Sequence, residues 1–104
     1  MGMFDYYIPD PAIYCPACMK APSVWQGKDG PCGLFVWRQG VAAPVRQEAD
    51  ESWGLGPEGL AAKRLPQRFI FYPVEVSCRR CPSYAVGETE GGVWTKVVEV
   101  HEPN

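Results

Sequence analysis

A chain of 104 residues has room for one domain with a modest core. Eleven Gly and eleven Pro argue against a helical bundle and for a turn-rich β structure. The net charge of -2, which four ionised cysteines around one divalent ion would make more negative still, excludes a global attraction for nucleic acid. Four Trp, five Tyr and four Phe either fill that core or mark a binding face, and four Trp are more than so small a core buries easily. No apolar run is long enough to span a bilayer, so no membrane partner is expected. The start, Met1-Gly2-Met3-Phe4-Asp5, lacks the basic region and apolar core of a secretion signal, and Tyr6 stands where a myristoylation signal needs Ser or Thr. The expected location is cytoplasmic, where paired cysteines serve as metal ligands more often than as disulfides.

In chain order, residues 4–14 are aromatic and broken by Pro9 and Pro11, an extended lead-in with one short strand. Residues 23–26 and 34–38 read as two strands around the turn-rich Gly27-Lys28-Asp29-Gly30-Pro31, which together predict a wide hairpin. The unbroken apolar run Leu34-Phe35-Val36-Trp37 predicts burial on both faces. Residues 39–57 form a surface loop with a short strand over 41–45. Pro57 at a first helical position and Pro66 as a stop predict a two-turn helix over 57–65. Residues 68–77 alternate as a strong strand, and Pro73 within it predicts an edge position or a bulge. Tyr84-Ala85-Val86 is a short extended piece, Glu90-Gly91-Gly92 a turn, and residues 93–100 a final β-branched strand before a frayed tail. The expected fold is therefore mostly β: one small antiparallel sheet, one short helix and long loops in a single domain over 1–104.

Four of the five cysteines form two CxxC pairs, Cys15-Pro16-Ala17-Cys18 and Cys78-Arg79-Arg80-Cys81. Two thiols separated by two residues point from one tight turn at a single ion, and two such turns complete a tetrahedral four-sulfur shell. Lys20, Arg79 and Arg80 stand beside the pairs, where positive charge favours thiolates. The expected cofactor is one structural zinc, with iron as the alternative metal. The eight knuckle residues resemble those of zinc ribbons and rubredoxins, which implies a zinc-ribbon-like domain. Those knuckles typically carry Gly after the second Cys, and here Met19 and Pro82 take that place. Separately, Tyr14-Cys15-Pro16-Ala17-Cys18 is similar to the active site of glutaredoxins, but that fold requires a helix next, and Pro22 with β-prone Val24-Trp25 follows instead. Cys32 reads as a small buried hydrophobe and His101 as an exposed side chain.

A four-thiolate shell leaves no open position for substrate, and nothing resembles a catalytic triad or a phosphate loop, so the chain is not expected to be an enzyme. The leading expectation is a protein-interaction module: an adaptor, inhibitor or immunity-type partner of another protein. Trp53 flanked by Asp50 and Glu51 is the candidate anchor for that partner. The alternative is a nucleic-acid-binding zinc ribbon using Lys63, Arg64, Arg68, Arg79 and Arg80, and a further alternative is CxxC redox chemistry at Cys15.

Overall fold

A computed structural model of the chain describes residues 4–48 and 54–102. Trp53, Asp50 and Glu51 lie outside the described residues. Within them the elements are β1 (Asp5–Ile8), β2 (Trp25–Gly27), β3 (Phe35–Arg38), β4 (Arg46–Gln47), α1 (Pro57–Ala61), β5 (Arg68–Pro73), β6 (Tyr84–Glu90) and β7 (Val93–His101). The strands form one sheet in the order β4-β3-β1-β2-β5-β6-β7. Every neighbouring pair is antiparallel except β1 and β3, which run parallel. The mostly-β expectation holds, with a mixed rather than a purely antiparallel sheet.

The parallel pair corrects the expected hairpin between β2 and β3. These strands do not touch; β1 lies between them, with Tyr6 opposite Gln26 on one side and Val36 on the other. The segment 28–34 therefore crosses under the start of β1. What holds it there is Asp5, whose carboxylate is wholly buried. Its Oδ1 accepts the amides of Gly33 (2.9 Å) and Phe35 (3.1 Å), and its Oδ2 accepts the amide of Cys32 (3.1 Å) and the indole N–H of Trp37 (3.1 Å). Cys32 (φ 60°) and Leu34 (φ 62°) take left-handed conformations, which gather successive amides into an anion-binding nest. A buried carboxylate is tolerable only when its lone pairs are satisfied in this way.

The sheet curls, so that one face closes on itself. Gly40 N–H, just past β3, donates to the Trp94 carbonyl on β7 (2.7 Å), and the Gln39 side chain donates to the Thr95 carbonyl (3.1 Å). Tyr7 of β1 stacks on Phe69 (5.3 Å) and Phe71 (5.6 Å) of β5, and Trp94 meets both edge-on (5.2 and 5.3 Å). Gly87 lets this packing form: a Cβ there would lie 2.4 Å from the Phe69 ring. Trp25, Trp37 and Trp94 are all buried, so three of the four Trp rings fill the core; the fourth, Trp53, lies outside the described residues. A curled sheet gives each ring an interior position, and paired aromatic rings add attraction beyond their area.

Other boundaries shift for local reasons. The strand expected over 41–45 forms instead at Arg46–Gln47, where Gln47 reaches back to the Gly33 carbonyl (2.8 Å). The helix is shorter than expected, ending at Ala61; Leu60 packs on the core, but no side chain caps the N-terminus. β5 stops at Pro73 and lies inside the sheet between β2 and β6, not at an edge. Pro73 is tolerated because it ends the strand, opposite Trp25. The β6–β7 hairpin turns through Gly91 (φ 60°) and Gly92 (φ 86°), the positive dihedrals that a two-residue turn matched to strand twist requires.

Candidate metal centre

The alternation of strand directions decides where the knuckles go. β1, β2, β5 and β6 are neighbours in that order, and each is antiparallel to the next. Loops 9–24 and 74–83 therefore leave the sheet at the same end, side by side, each carrying one CxxC pair. Cys15, Cys18, Cys78 and Cys81 converge there, with all four Sγ atoms within 4.8 Å of one another. Cys15 and Cys81 are buried, and Cys18 and Cys78 half-buried.

The sulfur spacing is that of a metal shell. A tetrahedron with metal–sulfur bonds of about 2.3 Å has edges of about 3.8 Å. The Sγ separations are 3.6 Å for Cys15–Cys78, 3.8 Å for Cys18–Cys81 and 3.7 Å for Cys78–Cys81. A disulfide would bring two sulfurs to about 2.05 Å, and all five cysteines are free. The turns also supply polar support. The Ser77 amide donates to Cys81 Sγ (3.4 Å), and in the first knuckle Met19 N–H closes the turn onto the Cys15 carbonyl (2.9 Å) while Cys15 N–H donates to the Lys20 carbonyl (2.9 Å). Such contacts orient ligand sulfurs and spread their charge. These residues fit a four-thiolate metal ion.

The thiols are electrostatically unequal. The Cys18 amide, chiefly, holds the Cys15 thiol down at about 7, against a smaller upward push from burial. At Cys78 the Arg80 amide pulls down, but burial and the sulfurs of Cys15, Cys18 and Cys81 together outweigh it and push the thiol up to about 11. Without metal, Cys15 therefore ionises more readily than Cys78, which holds its proton to higher pH. A lowered Cys15 stabilises the metal-free fold at high pH, and this is lost as pH falls through about 7. The raised Cys78 stabilises it below the ordinary thiol range, and this is lost as pH rises through about 11. Metal uptake must displace the Cys78 proton, so metal affinity is expected to rise with pH between 6 and 8, with acid release, both measurable by competition with a chromogenic chelator.

Met19 follows Cys18 in a left-handed conformation (φ 60°), the backbone that Gly supplies in the resembling knuckles. An L-residue there costs about 1–2 kcal/mol, against the roughly 0.5–1 kcal/mol by which Gly is penalised through the unfolded chain. The Met19 side chain is 68 % exposed and gains little from packing. Met19→Gly is therefore expected to stabilise the protein by about 0.5–1 kcal/mol, read by chemical denaturation.

The remaining sequence candidates are distributed over the molecule. Lys20, Arg79 and Arg80 are exposed on the knuckle loops. Lys63 lies 5.8 Å from the Phe35 ring, Arg64 turns back on the Ala61 and Lys63 carbonyls, and Arg68 opens β5 opposite Glu88. These three sit at the end of β5 away from its knuckle, five strand steps or about 17 Å from Pro73. The five basic residues are not brought into one patch. Cys32 is half-buried, and its thiol donates to the Lys28 carbonyl (3.0 Å), apart from the metal centre; burial and then Asp5 raise its pKa. His101 closes β7 rather than fraying. It stacks on Tyr84 at 4.5 Å, with Nδ1 3.2 Å from Ser83 Oγ. Asp5 escaped the sequence reading; its only signal was a lone acid inside the aromatic run Phe4-Asp5-Tyr6-Tyr7.

Comparison with known proteins finds no matching family, no similar curated protein and no similar solved structure. The resemblance to zinc ribbons thus stays with the four cysteines and the paired loops that carry them. Among the described residues, no helix is long and apolar enough to cross a membrane.

Proposed function

We propose that this chain is a small zinc protein in which one structural ion fastens two hairpin loops, and that it acts as a protein-interaction module. The observation that carries the zinc reading is the closed sulfur shell: four thiols at tetrahedral spacing fill every coordination position of a zinc ion. A shell with no vacant position suits fastening rather than catalysis. Zinc is favoured over iron because the ion's task here is to close a long loop, which needs no redox change. The partner is a protein rather than a nucleic acid because the basic residues are divided between opposite ends of β5 and the net charge is -2.

Two measurements separate the parts of this reading. Metal analysis of the purified full chain is expected to give one zinc per chain; iron, recognised by its colour, would remove the zinc assignment. Capture by the immobilised metal-loaded chain is expected to return one protein in fixed ratio, confirmed with both components purified. If the purified pair does not bind, the interaction role is wrong. If it binds equally well after Trp53→Ala with Asp50→Ala, the Trp53 surface is wrong and the role stands.

A further inference from the structure

The four sulfurs of the metal centre differ in how they meet solvent. Cys15 and Cys81 are buried, whereas Cys18 and Cys78, one from each loop, are half-buried. All four lie within 4.8 Å of one another, so a shared ion would have one sulfur of each loop on its outer side. An approaching ligand would meet Cys18 or Cys78 before the other two.

Two features separate Cys18 from Cys78. The first is backbone strain. Met19, directly after Cys18, is held at φ 60°, whereas no residue of the second loop, 74–83, has a positive φ. The Met19 side chain is largely exposed, so packing returns little of that cost. The bonds from Met19 N–H to the Cys15 carbonyl and from Cys15 N–H to the Lys20 carbonyl (both 2.9 Å) fix this turn together with the pull of a metal on Cys18. Freeing Cys18 removes one of these restraints and lets Met19 relax. The second feature is support. Cys78 Sγ lies 3.6 Å from Cys15 Sγ and 3.7 Å from Cys81 Sγ, and the Arg80 amide hydrogen-bonds it. Amide bonds of this kind hold a ligand sulfur in place. Cys18 makes its close contact with Cys81 Sγ, at 3.8 Å. Lys20, two residues along, is exposed and brings a positive charge to the same loop, which favours the approach of a thiolate.

We propose that Cys18 is the exchangeable arm of the metal centre: the metal is loaded and unloaded there, by a small thiol that takes the place of the Cys18 sulfur while Cys15, Cys78 and Cys81 keep hold. The exchange is sulfur for sulfur. The bond from Cys18 to the metal breaks as one to the incoming sulfur forms, the proton of the incoming thiol passes to Cys18, and nothing is oxidised or reduced. This rests on the metal reading of the four cysteines and assigns how that site is supplied and emptied. The two loops come apart only when further sulfurs are replaced.

The test is timed labelling of the zinc-loaded full chain with N-ethylmaleimide, each cysteine being followed by peptide mass spectrometry, alongside zinc transfer to a chromogenic chelator at increasing glutathione. Cys32, which is no ligand, is followed separately. The expected result is labelling of Cys18 at least about fivefold faster than of Cys15, Cys78 and Cys81, and a transfer rate that rises in proportion to glutathione. Met19→Gly relieves the strain and should slow the labelling of Cys18 about two- to fivefold without slowing that of Cys32. Labelling of Cys78 first, or of all four ligands at one rate, would overturn the role of Cys18. So would a transfer rate indifferent to glutathione, or labelling of Cys18 as fast in Met19→Gly as in the wild type. Each of those results leaves the fastening role of the metal standing. A chain that takes up no zinc, seen by native mass spectrometry before labelling, would remove the metal reading and this proposal together.

Discussion

Cys81→Ser is expected to cost at least about 3 kcal/mol and to lower the thermal midpoint by roughly 12–24 °C, with loss of bound metal. The size follows from topology. Cys15 and Cys81 are separated by most of the chain, and a bound ion would join two loops that the sheet alone brings only to the same end. Serine keeps the volume but offers a poor ligand, and it leaves three thiols around an incomplete shell. Cys81 is also buried and accepts the Ser77 amide, so the knuckle loses an internal support as well. Calorimetry with and without added zinc checks this: zinc should raise the midpoint of the wild type and leave that of the variant nearly unchanged. Cys32→Ser is the control, since Cys32 is no ligand and should leave the zinc response intact.

Asp5→Ala is expected to be comparably severe, at about 4 kcal/mol or more, for an unrelated reason. It strands three amide donors and one indole donor under the crossover, and each unsatisfied buried donor costs about 1–3 kcal/mol. Against a total stability of about 5–15 kcal/mol, the variant should be largely unfolded or unfold at very low denaturant. Asp5→Asn should recover only part of the loss, because its amide NH2 would face other donors. Asp10→Ala removes an exposed acid whose contact with Arg38 spans 3.9 Å, and it should stay within about 0.5 kcal/mol of wild type. Urea titrations of the three variants give the comparison directly.

The candidate site was more legible than the path of the chain. CxxC spacing reports metal geometry through two local turns, so Cys15, Cys18, Cys78 and Cys81 could be grouped before any fold was known. The strands around residues 35–38, 68–73 and 93–101 were legible from their apolar and β-branched runs. What the pattern could not carry was partner choice. Residues 23–26 and 34–38 look like a hairpin because nothing local says that β1 will come between them. That outcome depends on Asp5 meeting amides some 30 residues away. The same limit explains Pro73: its missing donor is compatible with a strand end inside the sheet as well as with an edge, and the neighbours decide. The burial of three Trp rings was likewise hidden, because it depends on the curl that brings Gly40 to Trp94. The left-handed backbone of Met19 could have been inferred, since the resembling knuckles carry Gly at that place.

The central claim is that one ion held by four thiolates fastens the two hairpin loops. Native mass spectrometry of the full chain, paired with circular dichroism before and after a strong chelator, tests it most directly. The expected result is one zinc per chain and a cooperative loss of thermal stability when the zinc is removed, restored by adding it back. A metal-free chain with disulfides within or between the CxxC pairs, or a zinc-loaded chain whose stability is indifferent to the chelator after the metal has left, would contradict it.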